Sequence, residues 1–190
     1  MQKIIKTSKW TITIIKILCI AITLIVFLPW VFIDTSFVQG LLKDGYIMQP
    51  VLVNESLGVI ELWKMKWTFL NKSMAVAADM ISMLPIYISL FILRKIFTNY
   101  ITGAVFTTEN AKYYKMLGFL FFAYGLIAEP LSQTVKILAL TIENEPGKRY
   151  LALGFGTPNV EALFCGLIVI LVSLVMQEAS KINDEHSYTV

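Results

Sequence analysis

The run 94-RKIFTNYITGAVFTTENAKYYKMLG-118 decides how this chain is folded. It is basic and lacks a spanning apolar core, yet apolar segments lead into it and out of it. Ile92, Ile96, Phe97, Tyr100 and Ile101 keep helical spacing, so the incoming helix continues about two turns past its apolar run. Gly103 suits the left-handed residue just beyond a helix end. Thr107 reads as the next N-cap, with Glu109 in the first turn, where a carboxylate complements the helix dipole. Lys112 and Lys115 follow, and the new helix runs on into apolar sequence. The stretch is a helix–turn–helix elbow at a membrane surface, with no likeness to a DNA-reading module.

Outward from the elbow, composition points the same way. Of the 190 residues 57% are hydrophobic and 15% charged, with a mean hydropathy of +0.70. A soluble domain has about 45–50% apolar and about 25% charged residues, so the departure is toward the membrane. The apolar residues fall in four blocks. A helix needs about 20 mostly apolar residues to cross the hydrocarbon core, which places spans at about 12–33, 73–94, 116–136 and 159–177. The first block follows a basic start, as a signal peptide does, but LPWVFIDTS offers no small-x-small cleavage site and the run is too long. It is therefore read as a retained span.

Segment 34–72, between the first two spans, holds four lysines and four acids. VLVNES and GVIELWKMKWTF have partial strand character, so a strand pair or a partly helical cap on the membrane is expected there, with Trp63 and Trp67 as interface anchors. ILALTIENEPGKRY prolongs the third helix until Pro146-Gly147. Thr157-Pro158 reads as N-cap and first position of the fourth helix. The tail QEASKINDEHSYTV reads as polar and frayed.

Orientation follows from lysine and arginine. The first sixteen residues carry four positive charges and no acid, and residues 94–115 carry four against one. Both termini and the elbow 94–115 are thereby placed in the cytoplasm. The expected fold is an all-α four-helix bundle of the bacterial inner membrane, N-in and C-in. The net charge of +3 sits in tails and loops, which suits topology and lipid contact rather than direct nucleic-acid binding.

The run 93-LRKIFTNYITGAVFTTENAKYYKMLGFLFFAYGL-126 resembles the signature of a bacterial family of small four-span membrane proteins, domain of unknown function 2975. The resemblance rests on a Gly-x-x-Phe-Thr-x-Glu-Asn turn, here Gly103, Phe106, Thr107, Glu109 and Asn110, followed by a helix leading to Gly118. GFGTPNVEALFCGLIVILVS is also similar to the family pattern. The family supplies no chemistry. Its genes often sit beside one for a small helix-turn-helix regulator, which implies a cytosolic protein partner.

The most pointed residues are acids at matching depth. Asp79 lies 15 residues from Arg94, Glu129 lies 14 from Lys115, and Glu161 lies 17 from Glu178. At about 1.5 Å per residue each is roughly 21–25 Å from the inner boundary. Ionisable groups within a span are costly and usually face a bundle interior or a watery cavity. One reading is an outward polar vestibule of Asp79, Glu129, Gln133 and Glu161, binding a cation, a proton or a small polar ligand. The plainer one is that the acids are neutralised or bond to Gln133, Ser132 or Asn159 and fix packing. At the elbow, Arg94, Lys95, Tyr100, Phe106, Lys112, Tyr113 and Lys115 form an aromatic and basic surface suited to a protein partner or anionic lipid. An ordinary positive-inside loop uses the same residues.

Catalysis finds no support: there is no Ser/His/Asp set, no Cys/His metal spacing and no phosphate-binding loop, so no enzyme, metal or cofactor is expected. Cys19 and Cys165 differ in depth by roughly 15 Å, beyond disulfide reach. The leading expectation is a non-enzymatic regulatory or partner-binding membrane protein. The alternative is translocation of an ion, proton or solute through Asp79 and Glu129, for which four spans would call for a homo-oligomer.

Overall fold

The computed structural model describes residues 2–44, 66–143, 149 and 151–188, with side chains as far as Asn183. Among them there is no strand. In order come α1 (Gln2–Val31), α2 (Ser36–Lys43), α3 (Phe69–Ile101), α4 (Thr108–Ala123), a π-helical turn (Tyr124–Ala128), α5 (Glu129–Thr141) and α6 (Thr157–Tyr188). The π turn joins α4 and α5 into one continuous helix. Four helical stretches are long and apolar enough to cross a membrane: Gln2–Val31, Phe69–Ile101, Thr108–Thr141 and Thr157–Asn183. The chain is all-α, with the four apolar helices of a multi-pass membrane protein, as the four sequence blocks predict. The expected strand pair falls mainly on residues 45–65, outside the described residues; within segment 34–72 the described part holds α2 and the start of α3.

The chain divides into two units, one of residues 1–21, 83–129 and 156–190, the other of residues 22–82 and 130–155. In the first, α4 and α6 lie against each other along small residues. Ala111, Gly118 and Gly125 are buried on one side, and Asn159, Gly166, Ser173 and Ser180 on the other. Each set recurs every seven residues, the period that keeps a seam facing its partner in a left-handed supercoil. Lipid tails are as apolar as leucine, so membrane helices associate by close packing rather than by hydrophobic exclusion. The glycines make that closeness available. A Cβ on Gly166 would sit 3.0 Å from the Gly118 carbonyl oxygen, and one on Gly125 would sit 2.8 Å from the Asn159 carbonyl oxygen. A second cluster in this unit packs Ile92 and Ile96 of α3 against Leu117 of α4, with Tyr100, Tyr113 and Tyr114 around it.

The π turn leaves one carbonyl to be satisfied from outside its own helix. The Glu129 N–H donates to the Tyr124 carbonyl, five residues back. In that register the donor to the Gly125 carbonyl would be residue 130, and Pro130 has no N–H. A buried carbonyl left without a donor costs about 1–3 kcal/mol. Asn159 of α6 supplies the missing bond: its Nδ2 donates to the Gly125 oxygen at 2.7 Å. The same side chain accepts the Gly156 N–H at Oδ1, 2.9 Å away, which caps α6. That helix starts at Thr157, one residue earlier than the Thr157-Pro158 capping pattern predicts, because Asn159 turns back to serve Gly156. At its far end α6 stays helical to Tyr188, where a frayed tail is expected from polarity alone. Ser180 is buried there, 3.3 Å from Thr108 Oγ1, and an i,i+3 pair joins Glu178 and Lys181.

In the second unit the core is Trp30, Ile33, Val38, Leu42, Ala75, Ala139 and Leu140. Thr35 caps α2 by accepting from the Val38 N–H. Val38 and Leu42, four apart, are the face this short amphipathic helix buries. Asp34, just past α1, pairs with Lys72 of α3.

Candidate functional site

In the second unit, Asp79 is held from two sides. Lys136 of α5 places Nζ 2.6 Å from Asp79 Oδ1. Trp30 of α1 donates its indole N–H to Asp79 Oδ2 at 2.5 Å. Both oxygens of a carboxylate within an apolar helix thus have a donor, and Lys136 supplies a counter-charge. The side chains of Asp79 and Lys136 are 15% and 21% exposed, so the pair is screened little by solvent. Trp67 packs edge-on against Trp30, with ring centroids 5.5 Å apart and planes at 68°. Three helices, α1, α3 and α5, meet at this one carboxylate.

The other sequence-predicted groups lie as follows. Gln133, half-buried on α5, belongs to the same unit as Asp79, and its Cβ lies 3.8 Å from where a Cβ on Gly154 would be. Glu129 belongs to the first unit and is hydrogen-bonded by the Tyr124 hydroxyl, five positions back across the π turn. Glu161, also in the first unit, is exposed. Ser132 is buried with its hydroxyl unpartnered, and Asn159 serves Gly125 and Gly156. Sequence reading missed Trp30 and Lys136 as partners of Asp79. The signal was there: Lys136 is a cation in the third apolar helix, and Asp79 an anion in the second. Reading Lys136 as the end of a span hid the pairing.

The elbow is built more tightly than its sequence suggests. Gly103 has φ +83°. The Gly103 N–H donates to the Tyr100 carbonyl at 3.2 Å and the Ala104 N–H to the Asn99 carbonyl at 3.0 Å, a Schellman closure of α3. Thr107 caps α4, its Oγ1 accepting the Asn110 N–H at 3.2 Å. Asn110 is wholly buried and ties the connection together. Its Nδ2 donates to the carbonyls of Ala104, at 2.7 Å, and Val105, at 2.9 Å. Its Oδ1 accepts from Asn99 Nδ2 at 2.8 Å. Glu109 accepts from the Tyr113 hydroxyl at 2.8 Å, and the hydroxyls of Tyr100 and Tyr114 are 2.9 Å apart. Lys95 lies over the rings of Phe91 and Tyr113, at 5.0 and 5.7 Å from their centroids.

This framework leaves Arg94, Lys95, Lys112 and Lys115 exposed on the flanking helices and Phe106 50% exposed in the turn between them. Tyr100 and Tyr113 are half-buried, their hydroxyls bonded to Tyr114 and Glu109. Among the described residues no cluster of three or more His, Cys, Asp or Glu has the arrangement to hold a metal ion.

No curated protein and no solved structure matches the chain. A family model does, over residues 51–190, and it covers α3 through α6, the elbow included. On that match the chain belongs to the protein family of unknown function DUF2975.

Proposed function

We propose that the chain is a non-enzymatic regulatory protein of a bacterial inner membrane, N-in and C-in, whose elbow docks a cytosolic protein. The observation that carries this reading is the construction of the elbow. Asn110, Thr107 and the Schellman closure fix a connection that would otherwise sample many conformations. Fixing a surface before binding removes an entropic cost at the moment of association. What the framework presents is an exposed phenylalanine in the turn, Phe106, with exposed cations on the two helices that flank it, Arg94 and Lys95 on α3 and Lys112 and Lys115 on α4. Such a surface complements an acidic patch with an apolar notch. The translocation alternative finds less support at Asp79, whose carboxylate already has Lys136 and Trp30.

The test is a photo-crosslinking residue at Phe106 in growing cells, with another at Phe164, on the exposed side of α6, as the control. The expected result is one soluble cytosolic protein captured from Phe106 only, and lost on Lys112→Glu with Lys115→Glu. Adducts to lipid alone at both positions would overturn the docking proposal.

A further inference from the structure

We infer that the first unit contains a pocket for a hydrocarbon chain, set between Pro85 of α3 and the π turn. A cavity of about 360 Å³ is lined by Pro85, Ser89 and Leu93 from α3, Phe121 and Tyr124 from α4 and the π turn, and Ala162 from α6. Its origin is readable in the residue types. Below it, Ile92, Ile96 and Leu117 fill the space between α3 and α4. At its own level the lining includes a proline, a serine and an alanine, whose side chains are too short to close the gap. The π turn contributes Tyr124 to the same lining.

The polar atoms on this lining are already committed. Ser89 Oγ donates to the Pro85 carbonyl at 2.8 Å, and the Tyr124 hydroxyl is bonded to Glu129. A buried water needs about two to four polar partners, and a cavity without them stays dry or takes an apolar guest. For scale, an apolar cavity of about 150 Å³ admits benzene, so this one accommodates a longer apolar body. The helices that form it are long and apolar enough to lie in a bilayer. Its edge residues Ile86, Leu93, Leu120 and Phe121 are only half-buried, so the cavity meets the apolar surface. Pocket chemistry and surroundings agree on one occupant, the acyl chain of a membrane lipid. This inference stands apart from the elbow's partner, since the pocket would be filled whether or not a protein docks.

The experiment uses the full chain in nanodiscs of phosphatidylcholine carrying a diazirine in mid-acyl chain, with adducts located by mass spectrometry after illumination. Adducts on Ser89 or Tyr124 are expected, alongside those on the exposed α6 residues Leu171 and Val175. Two separate variants fill the pocket from different helices, Ala162→Phe and Ser89→Leu. In either, adducts on Tyr124 should fall to background while those on Leu171 and Val175 persist. Where one variant does not fold, the other decides. Lining residues that stay unlabelled in the unmodified chain, or labelling that survives in the folded variants, would overturn the pocket.

Discussion

Asn159 donates to the Gly125 carbonyl that Pro130 leaves without a partner. The bond accounts for three residues at once: the proline that removes a donor, the glycine that lets the backbones meet, and the amide that closes the account. It also makes the π turn a stable feature rather than a fault in the helix. Replacing Asn159 with Ala should cost about 1–3 kcal/mol, the penalty for an unsatisfied buried carbonyl. Pro130→Ala restores an N–H to the helix, so the double variant should lose clearly less than the sum of the singles. Thermal unfolding in detergent measures all three, and strict additivity would contradict the assignment.

The ion pair yields a second cycle. Asp79→Asn or Lys136→Gln alone leaves an uncompensated charge in a poorly solvated place, and each should destabilise by roughly 3 kcal/mol. The double variant, with two neutral groups in contact, should be more stable than either single. Trp30→Phe, which keeps the aromatic packing and removes the indole donor, should cost about 1–2 kcal/mol. If the paired variant is no better than the singles, the pair does not hold the three helices as described.

Glycine substitutions should rank by what their new methyl meets. Gly125→Ala would place a carbon 2.8 Å from a backbone oxygen, and Gly166→Ala 3.0 Å from one. Both should lower stability, Gly125 more. Gly40→Ala meets nothing within 4 Å and sits in α2, so helix propensity should raise stability by up to about 1 kcal/mol. Equal effects at Gly125 and Gly40 would refute the close approach of α4 and α6.

The elbow can be tested apart from any partner. Gly103→Ala forces a side chain into a left-handed conformation and should cost about 1–2 kcal/mol. Asn110→Asp keeps the acceptor for Asn99 but loses both donations to Ala104 and Val105, so it should approach Asn110→Ala in its effect. Hydrogen exchange over residues 102–107 should rise in both variants. Unchanged protection would show that Asn110 is not what holds the connection.

Legibility in the sequence followed the range of the interaction. The four apolar blocks, the left-handed Gly103 and the Thr107 cap are set by local chemistry, so they could be read from neighbours in the chain. The partners of Asp79 could not, because Trp30 and Lys136 lie 49 and 57 positions away. The π turn was hidden for a related reason. Glu129-Pro130 marks an interruption, but whether a helix breaks, kinks or widens depends on Asn159, 29 residues further on. Capping explained Gly103 and Thr107 and diverted notice from Asn110, whose role appears only when the folded loop brings two carbonyls to its amide.

The seven-residue stripes on α4 and α6 repeat almost the same contact every two turns. A slip of one repeat, about 10 Å along the axis, would keep the spacing but set Ser173 or Asn159 where Gly166 now meets Gly118, with no room for their side chains. The one glycine of the α6 stripe therefore marks its middle. The two ends are marked by polar contacts, where Asn159 finds Gly125 and Ser180 finds Thr108. Three separate marks thus hold α6 to a single position on a stripe whose period alone would leave the register open.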